Sequence, residues 1–139
     1  MEKPLIVHTY DNLATATHRY SIATQGRDYY TRREVLVVGP GDVITGTLSP
    51  KDMLKALIGD MPGTTRITEL EKYMRRPVVA KRTEWDKIVD AALKGRNTFI
   101  LNPRYENRHD GRKHVTVPMI EGEVTDVNAL KMMNELISK

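Results

Sequence analysis

Residues 35–52 read VLVVGPGDVITGTLSPKD, and the signals in this stretch decide the fold class. Four consecutive apolar residues, Val35 to Val38, are typical of a buried β-strand. The run Gly39-Pro40-Gly41-Asp42 predicts a turn, because proline presets φ to about −65° and glycine accepts positive φ. Val43-Ile44-Thr45 predicts a return strand, so the stretch begins as a β-hairpin.

A helix is predicted directly after the hairpin. Ser49 is suited to cap its N-terminus, Pro50 suits the first helical position, and Asp52 lies near the positive end of the helix dipole. Gly59 is expected to end it. We expect one buried face, formed by the apolar residues Met53, Leu54, Leu57 and Ile58.

A second clear helix is predicted in TEWDKIVDAALKG, where Thr83 is the expected cap and Asp86 takes the reciprocal position of a capping box. Gly95 suits the left-handed C-terminal cap. The apolar stripe expected to face the core consists of Trp85, Ile88, Val89, Ala92 and Leu93.

The remaining segments are read from their periodicity. Strands are predicted at residues 5–7, 13–23 and 98–101 and through the alternating Val115, Val117 and Met119. A short helix is predicted to begin at Thr68 and to end before Pro77. A last helix is predicted after a cap at Thr125 or Asp126, with one side marked by Val127, Leu130, Met133 or Asn134, and Ile137.

These elements predict an α+β fold with a mainly antiparallel sheet and about three to four helices. The chain has 139 residues, which is the size of one ordinary domain, and we expect residues 1–139 to form it. No internal repeat is found in the sequence.

Composition excludes several classes of protein. The chain has no cysteine, which excludes a disulfide framework, a thiolate zinc site and cysteine-based catalysis. A secretory signal needs about 7–15 consecutive apolar residues and a membrane span about 20, and no stretch approaches either length. We therefore predict a cytoplasmic protein that binds no membrane. No cofactor and no metal site are predicted.

Basic residues cluster with tyrosines in a chain of formal net charge +4. Cations neutralise phosphates and aromatic faces stack on bases, and guanidinium groups also pair with carboxylates of acidic proteins. The residues predicted to bind such a partner are Arg75, Arg76, Lys81, Arg82, Arg104, Tyr105, Arg108 and Arg112. The last four lie in the long connection between Asn102 and His114, which we expect to be an exposed excursion between antiparallel strands.

The sequence therefore favours a non-catalytic binding protein, acting as a regulator, inhibitor or accessory subunit. The predicted partner is anionic and macromolecular, either nucleic acid or an acidic protein surface. A structural subunit of an oligomer is a second hypothesis, in which the Met132-Met133 region packs against another subunit.

A third hypothesis is a small, metal-independent phosphoesterase. His114-Val115-Thr116 resembles one of the two His-x-Thr/Ser motifs of the 2H phosphoesterases, in which two histidines act as acid and base on a cyclic phosphate. The resemblance implies His114 and Thr116 as site residues, together with a second histidine such as His18. His18 is followed by Arg19-Tyr20 and His8 by Thr9, so the second motif of that family is missing.

Overall fold

The computed structural model describes residues 1–24, 33–105 and 114–138. In these ranges the chain forms two units with the same β-α-β-β-α order of elements. The elements of the first unit are β1, α1, β2, β3 and α2, at Leu5–His8, Leu13–Thr24, Val35–Val38, Ile44–Leu48 and Pro50–Ile58. The elements of the second unit are β4, α3, β5, β6 and α4, at Val78–Ala80, Trp85–Leu93, Thr98–Leu101, Ile120–Val124 and Asp126–Ile137.

Each unit forms one three-stranded sheet, in the orders β1-β2-β3 and β4-β5-β6. The central strand pairs in parallel with the first strand and antiparallel with the third. The predicted α+β class is confirmed, with both sheets mixed rather than mainly antiparallel. Helical content slightly exceeds the expectation, because 3₁₀ segments such as Ile67–Tyr73 add to the four α-helices of the described ranges.

The two units also repeat in register and in sequence, which corrects the expectation that no repeat exists. Leu36 lies opposite Thr47 in the first sheet, and Phe99 lies opposite Glu123 in the second. The shared pattern is Ile-x-Gly-x-Leu/Val-Ser/Thr-x-x-Asp/Asn, and it begins at Ile44 and again at Ile120. This shared pattern is short, and the matching register of the strands aligns its two copies.

The glycine in each copy of this pattern makes room for an edge segment of the chain. A Cβ at Gly46 would lie 3.2 Å from the carbonyl oxygen of Arg75, and one at Gly122 would lie 3.1 Å from that of Glu2. Arg75 makes an isolated bridge to Thr47, and Glu2 makes the equivalent bridge to Glu123. Glycine is therefore used at both positions because a backbone approaches closely.

The capping boxes at the start of α2 and α4 repeat as well. The Ser49 hydroxyl accepts from the Asp52 N–H, and the Asp52 carboxylate accepts from the Ser49 N–H. Thr125 and Asn128 make the same pair of bonds at the start of α4. The predicted caps Ser49 and Thr125 are thus confirmed by the hydrogen bonds that satisfy otherwise unpaired N–H groups.

Apolar side chains form three clusters. Helices cover one face of each sheet, and the opposite faces of the two sheets meet each other. The buried cluster of the first unit contains Val7, Leu13, Ala16, Val35, Val37, Leu48, Met53, Ala56, Ile67 and Leu70. That of the second unit contains Ala80, Ile88, Ile100, Val124 and Ala129. The cluster between the sheets is built on Leu36, Ile44 and Phe99.

The segment predicted as a strand at residues 13–23 is helix α1, so this prediction is wrong. The Asn12 side chain accepts hydrogen bonds from the N–H and the hydroxyl of Thr15, which caps the helix. Leu13 and Ala16 are buried, and Tyr20 packs beside them at helical spacing. The alternating small and polar residues of this segment are compatible with the period of a strand and with that of a helix. Packing against β1 favours the helix.

In three helices the buried face coincides only in part with the face that the sequence predicted. In α2 the buried residues are Asp52, Met53 and Ala56, whereas Leu54, Leu57 and Ile58 are exposed. In α3 Ile88 and Ala91 are buried, Trp85 is half-buried and Leu93 is 83% exposed. In α4 Ala129 is buried, while Leu130 and Ile137 are exposed. Each helix therefore buries one alanine, and most of its large aliphatic residues other than Met53 and Ile88 lie outside.

Two local predictions in the second half also need correction. Glu84 rather than Thr83 is the N-cap of α3. Val117–Met119 is a 3₁₀ turn that contains Pro118, and the strand begins after it at Ile120. The strands on either side of the long connection do pair antiparallel as predicted.

No helix in the described ranges combines the length and apolar character needed to cross a bilayer.

Candidate functional site

In each unit, an arginine followed by a polar residue directly precedes the central strand. Arg33-Glu34 precedes β2, and Arg96-Asn97 precedes β5. All four residues lie where the two sheets meet, and Arg33, Glu34 and Asn97 are buried. The repeat therefore brings four polar side chains from distant parts of the chain to one place.

Glu123 of β6 is the centre of this polar cluster and is fully buried. Its carboxylate accepts from Arg33 Nε at 2.6 Å, from the Glu34 N–H at 2.9 Å and from Asn97 Nδ2 at 2.8 Å. Burial raises the pKa of Glu123 above its ordinary value, although the Glu34 N–H, Arg33 and Asn97 act in the opposite direction. The buried Glu123 carboxylate of the second unit thus binds Arg33 and Glu34 of the first unit.

Glu34 makes the reciprocal connection from the first unit to the second. Its carboxylate accepts from the Asn97 N–H at 2.6 Å, from Arg96 Nη2 at 3.0 Å and from the Thr47 hydroxyl at 3.0 Å. Arg96 also donates to the carbonyl oxygen of Arg76 at 2.7 Å. The bonds to Glu123 and Glu34 thus hold Arg33 and Arg96 in place beside the junction of the units.

A cavity of about 500 Å³ opens beside this cluster, between the two units. Its size is typical of a site for a small molecule. The lining residues are Tyr20, Arg33, Glu34, Ser49, Pro50, Lys51, Arg75, Lys94, Gly95, Arg96 and Asn97. Five of these side chains are cationic and one is anionic, so the cavity is suited to an anion.

The cations divide into a buried group and an exposed group. Arg33 and Arg96 are 3% and 18% exposed at the side chain and are held by Glu123 and Glu34. Arg75 is 42% exposed and its Nε lies 3.2 Å from Asp52 Oδ1, while Lys94 pairs with Asp90 on the surface. Lys51 is exposed in the first turn of α2, where the helix dipole adds positive potential.

The structure separates the residues that the sequence predicted to bind a partner. Arg75 lines the cavity, and Arg76 is exposed next to it. Arg82 is exposed and pairs with Glu121 at 2.6 Å, and the Lys81 N–H donates to the Glu84 carboxylate. Arg104 and Tyr105 lie in a 3₁₀ turn after β5. The predicted Arg108 and Arg112 lie outside the described residues.

The sequence analysis did not single out Glu34, Arg96, Asn97 or Glu123, and it did not place Arg33 among the residues predicted to bind a partner. The signal that could have found them is the repeat itself, because the Arg-polar pair precedes an apolar strand in both units. Arg33 and Glu123 are 90 residues apart in sequence, so no local pattern connects them.

The histidine hypothesis gains no geometric support from the described residues. His114 is exposed after the second gap, and the His8 ring stacks on Tyr10 at 5.0 Å between centroids. His109 lies outside the described residues. Within the part of the chain that the structure covers, no three His, Asp or Glu side chains are grouped as metal ligands would be.

No protein-family model matches this sequence, and a search of curated proteins also finds no match. Solved structures do match. A CBS domain protein from Pyrobaculum aerophilum, complexed with AMP, is 9% identical, with a TM-score of 0.65 over 100% of this chain and 95% of that one. OpuCA from Staphylococcus aureus is 15% identical, with a TM-score of 0.61 over 98% of this chain and 97% of that one.

The CBS domains of a transcriptional regulator from Streptococcus pneumoniae are 14% identical, with a TM-score of 0.54 over 91% of this chain and 86% of that one. Since these identities are low, the likeness shows the fold alone. The α+β fold of this chain is that of CBS-domain proteins.

Proposed function

We propose that this chain is a non-catalytic regulatory module that binds an adenine nucleotide in the cavity between its two units. The observation that carries the proposal is the cationic cavity, in which Arg75 and Lys51 stand beside the first turn of α2. A CBS domain protein of the same fold is complexed with AMP, which supports a nucleotide as the ligand.

Each part of the cavity suits one part of a nucleotide. A phosphate is favoured where exposed cations and a helix N-terminus meet, which is the position of Arg75 and Lys51. Tyr20 adds an aromatic ring to the wall, suited to contact with a base. Because both units contribute to the lining, a bound ligand would stabilise their junction, and this is how the module would report the ligand to a partner.

Calorimetric titration with AMP, with ATP and with adenosine tests the proposal. We expect AMP to bind and adenosine to bind more weakly, because adenosine lacks the phosphate. Replacing a charged hydrogen-bond partner costs about 1.5–3 kcal/mol, so Arg75→Ala should weaken AMP binding roughly ten- to hundred-fold. Recovery of unaltered nucleotide after incubation would support a non-catalytic role.

Arg82→Ala is the matched control. Arg82 is an exposed arginine in an ion pair, as Arg75 is, but it does not line the cavity. Its replacement should leave AMP binding unchanged. Equal affinity of the Arg75→Ala variant and the unaltered protein, or the failure of every nucleotide to bind, would contradict the proposal.

An anionic macromolecule bound by the basic residues stays a prediction. Arg76 and Arg104 are exposed and available for it, whereas Arg75 lines the cavity and Arg82 is paired with Glu121. Anisotropy titrations with single- and double-stranded oligonucleotides at low salt test it, since phosphate contacts weaken steeply as salt rises. Binding that survives Arg76→Ala with Arg104→Ala would exclude these side chains as the contact.

A further inference from the structure

Cations that line the cavity between the units pair with carboxylates. Within the described residues these pairs are Arg33 with Glu123, Arg75 with Asp52, Lys94 with Asp90, and Arg96 with Glu34. The attraction of the cavity for an anion therefore depends on whether these carboxylates are ionised. A carboxylate that takes up a proton leaves the charge of its cation uncompensated, and the positive potential in the cavity rises.

The pair of Arg33 with Glu123 is the most buried of these four. The side chains are 3% and 0% exposed, and Arg33 Nε lies 2.6 Å from Glu123 Oε1. Little solvent screens a buried charge, so its potential extends further than that of a charge at the surface. A change in the charge of this pair should therefore have the largest effect on the cavity.

Charged and polar groups from several parts of the chain surround Glu123. They are Arg33 and Glu34 before β2, Arg96 and Asn97 before β5, Glu2 on the edge segment, and Glu121 on β6 itself. Arg96 bonds to Glu34, and Glu121 pairs with Arg82 at the surface. Arg33 is the cation that bonds directly to the Glu123 carboxylate, so a proton on Glu123 acts first on Arg33.

Arg33 has further partners that hold it when Glu123 is protonated. Its Nη2 donates to the carbonyl oxygen of Lys3, and its Nη1 lies 3.9 Å from the Glu2 carboxylate. The protonated Glu123 side chain can still accept from the Glu34 N–H. Protonation should therefore change the charge at the wall of the cavity and leave the geometry there almost unchanged.

We propose that Glu123 controls the affinity of the cavity for anions through Arg33, so that proton uptake by its carboxylate strengthens the binding of a phosphate. By linkage, a bound anion favours the protonated form of Glu123 in turn. Glu123 acts through a lining residue and is thus a positioning residue. This role rests on the proposed function in one respect, namely that an anion binds in the cavity.

Titration of AMP across a pH series compares the unaltered protein with Glu123→Gln. Glutamine keeps the shape of the side chain but cannot ionise, so Arg33 stays uncompensated at every pH. At the alkaline end of the series the variant should bind AMP roughly five-fold more tightly or better. This ratio should fall toward unity as pH falls through the pKa of Glu123, which burial raises above its ordinary value. Protonation of the phosphate itself affects both proteins equally and cancels in the ratio.

Glu121→Gln is the matched control. Glu121 is a second glutamate of β6 that pairs with an arginine, but this pair lies at the surface. The variant should bind AMP as the unaltered protein does at each pH. Circular dichroism checks that both variants are folded.

Sulfate provides a test that needs no variant. Its charge does not change across this pH range, so a proton taken up when it binds belongs to the protein. Calorimetric titration of the unaltered protein with sulfate, in two buffers of different ionisation enthalpy, should show net proton uptake. The uptake should be absent from Glu123→Gln.

The possible outcomes separate this role of Glu123 from the proposed function. An identical pH dependence of AMP binding in the unaltered protein and Glu123→Gln would overturn the role of Glu123 and leave the proposed function standing. Sulfate binding without proton uptake would do the same. Sulfate binding with proton uptake, in a protein that binds no nucleotide, would support the role of Glu123 and contradict the proposed function. Failure of both AMP and sulfate to bind would overturn both.

Discussion

The first and second units share their order of elements and their register, yet they differ at the residue that meets the opposite unit. Thr47 occupies this position in β3 and Glu123 occupies it in β6. Glu123 reaches Arg33 directly, whereas Thr47 is too short and Glu34 supplies the carboxylate that holds Arg96. One repeated scaffold therefore supports two different arrangements of buried charge.

The edge segments beside these residues differ in charge as well. Arg75 bridges to Thr47 in the first unit, and Glu2 bridges to Glu123 in the second. The cationic cavity lies on the side of Arg75. At these equivalent positions the first unit thus places a cation on the cavity, whereas the second unit carries a carboxylate.

The largest expected effect compares Glu123→Ala with Thr47→Ala. Glu123→Ala leaves Arg33 buried without its main partner, and breaking a buried ion pair costs about 3–5 kcal/mol of unfolding free energy. Thr47→Ala removes hydroxyl hydrogen bonds and should cost about 1 kcal/mol. Urea unfolding of both variants measures the difference. Equal losses would show that the two positions are equivalent in energy as well as in register.

The next effect compares the helices that cover the two sheets. Leu13 of α1 and Ile88 of α3 are both buried against their sheets, so replacing either by alanine should cost about 2–5 kcal/mol. Trp85→Ala should cost only about 1 kcal/mol, because Trp85 is half-buried at a surface cavity between α3 and α4. A loss at Trp85 as large as that at Ile88 would place the indole in the core, as the sequence predicted.

The unfolding free energy should depend on pH through Glu123. The first unit has no carboxylate at the equivalent position, which is occupied by Thr47. The pKa of Glu123 is raised in the folded state, so the folded protein binds this proton more tightly than the unfolded chain. The contribution of Glu123 to stability is therefore greatest below the unfolded pKa and is lost as pH rises through the folded pKa. Unfolding free energy measured across acidic pH should show this slope, and Glu123→Gln should remove it. An unchanged slope in the variant would assign it to other groups.

The smallest expected effect concerns the ion pair between Arg82 and Glu121 on the surface of the second unit. Their side chains are 51% and 30% exposed, so the pair is screened by solvent. Arg82→Ala should change the unfolding free energy by less than about 1 kcal/mol, and added salt should reduce the difference further. A loss comparable with that of Glu123→Ala would mean that Arg82 is part of the structural connection between the units.

Helix starts and the hairpin could be predicted because their causes are local. Ser49 with Asp52 and Thr125 with Asn128 form hydrogen bonds across three residues, and the sequence displays both partners. The cationic cavity between the two units could not be predicted in this way. Its five cations come from four separate parts of the chain, and of these cations only Arg75 was among the residues that the sequence predicted to bind a partner.

The sequence by itself determined the fold class, the buried strands Val35–Val38 and Thr98–Leu101, and the points where α2 and α4 begin, because apolar runs and caps act over a few residues. Tertiary structure alone decided that residues 13–24 form a helix and that Ala56 and Ala91 are buried while Leu54, Leu57 and Leu93 are exposed. It also decided that Arg33 meets Glu123. The physical reason is that burial and charge pairing depend on which surfaces meet, and in this chain those surfaces lie far apart in sequence.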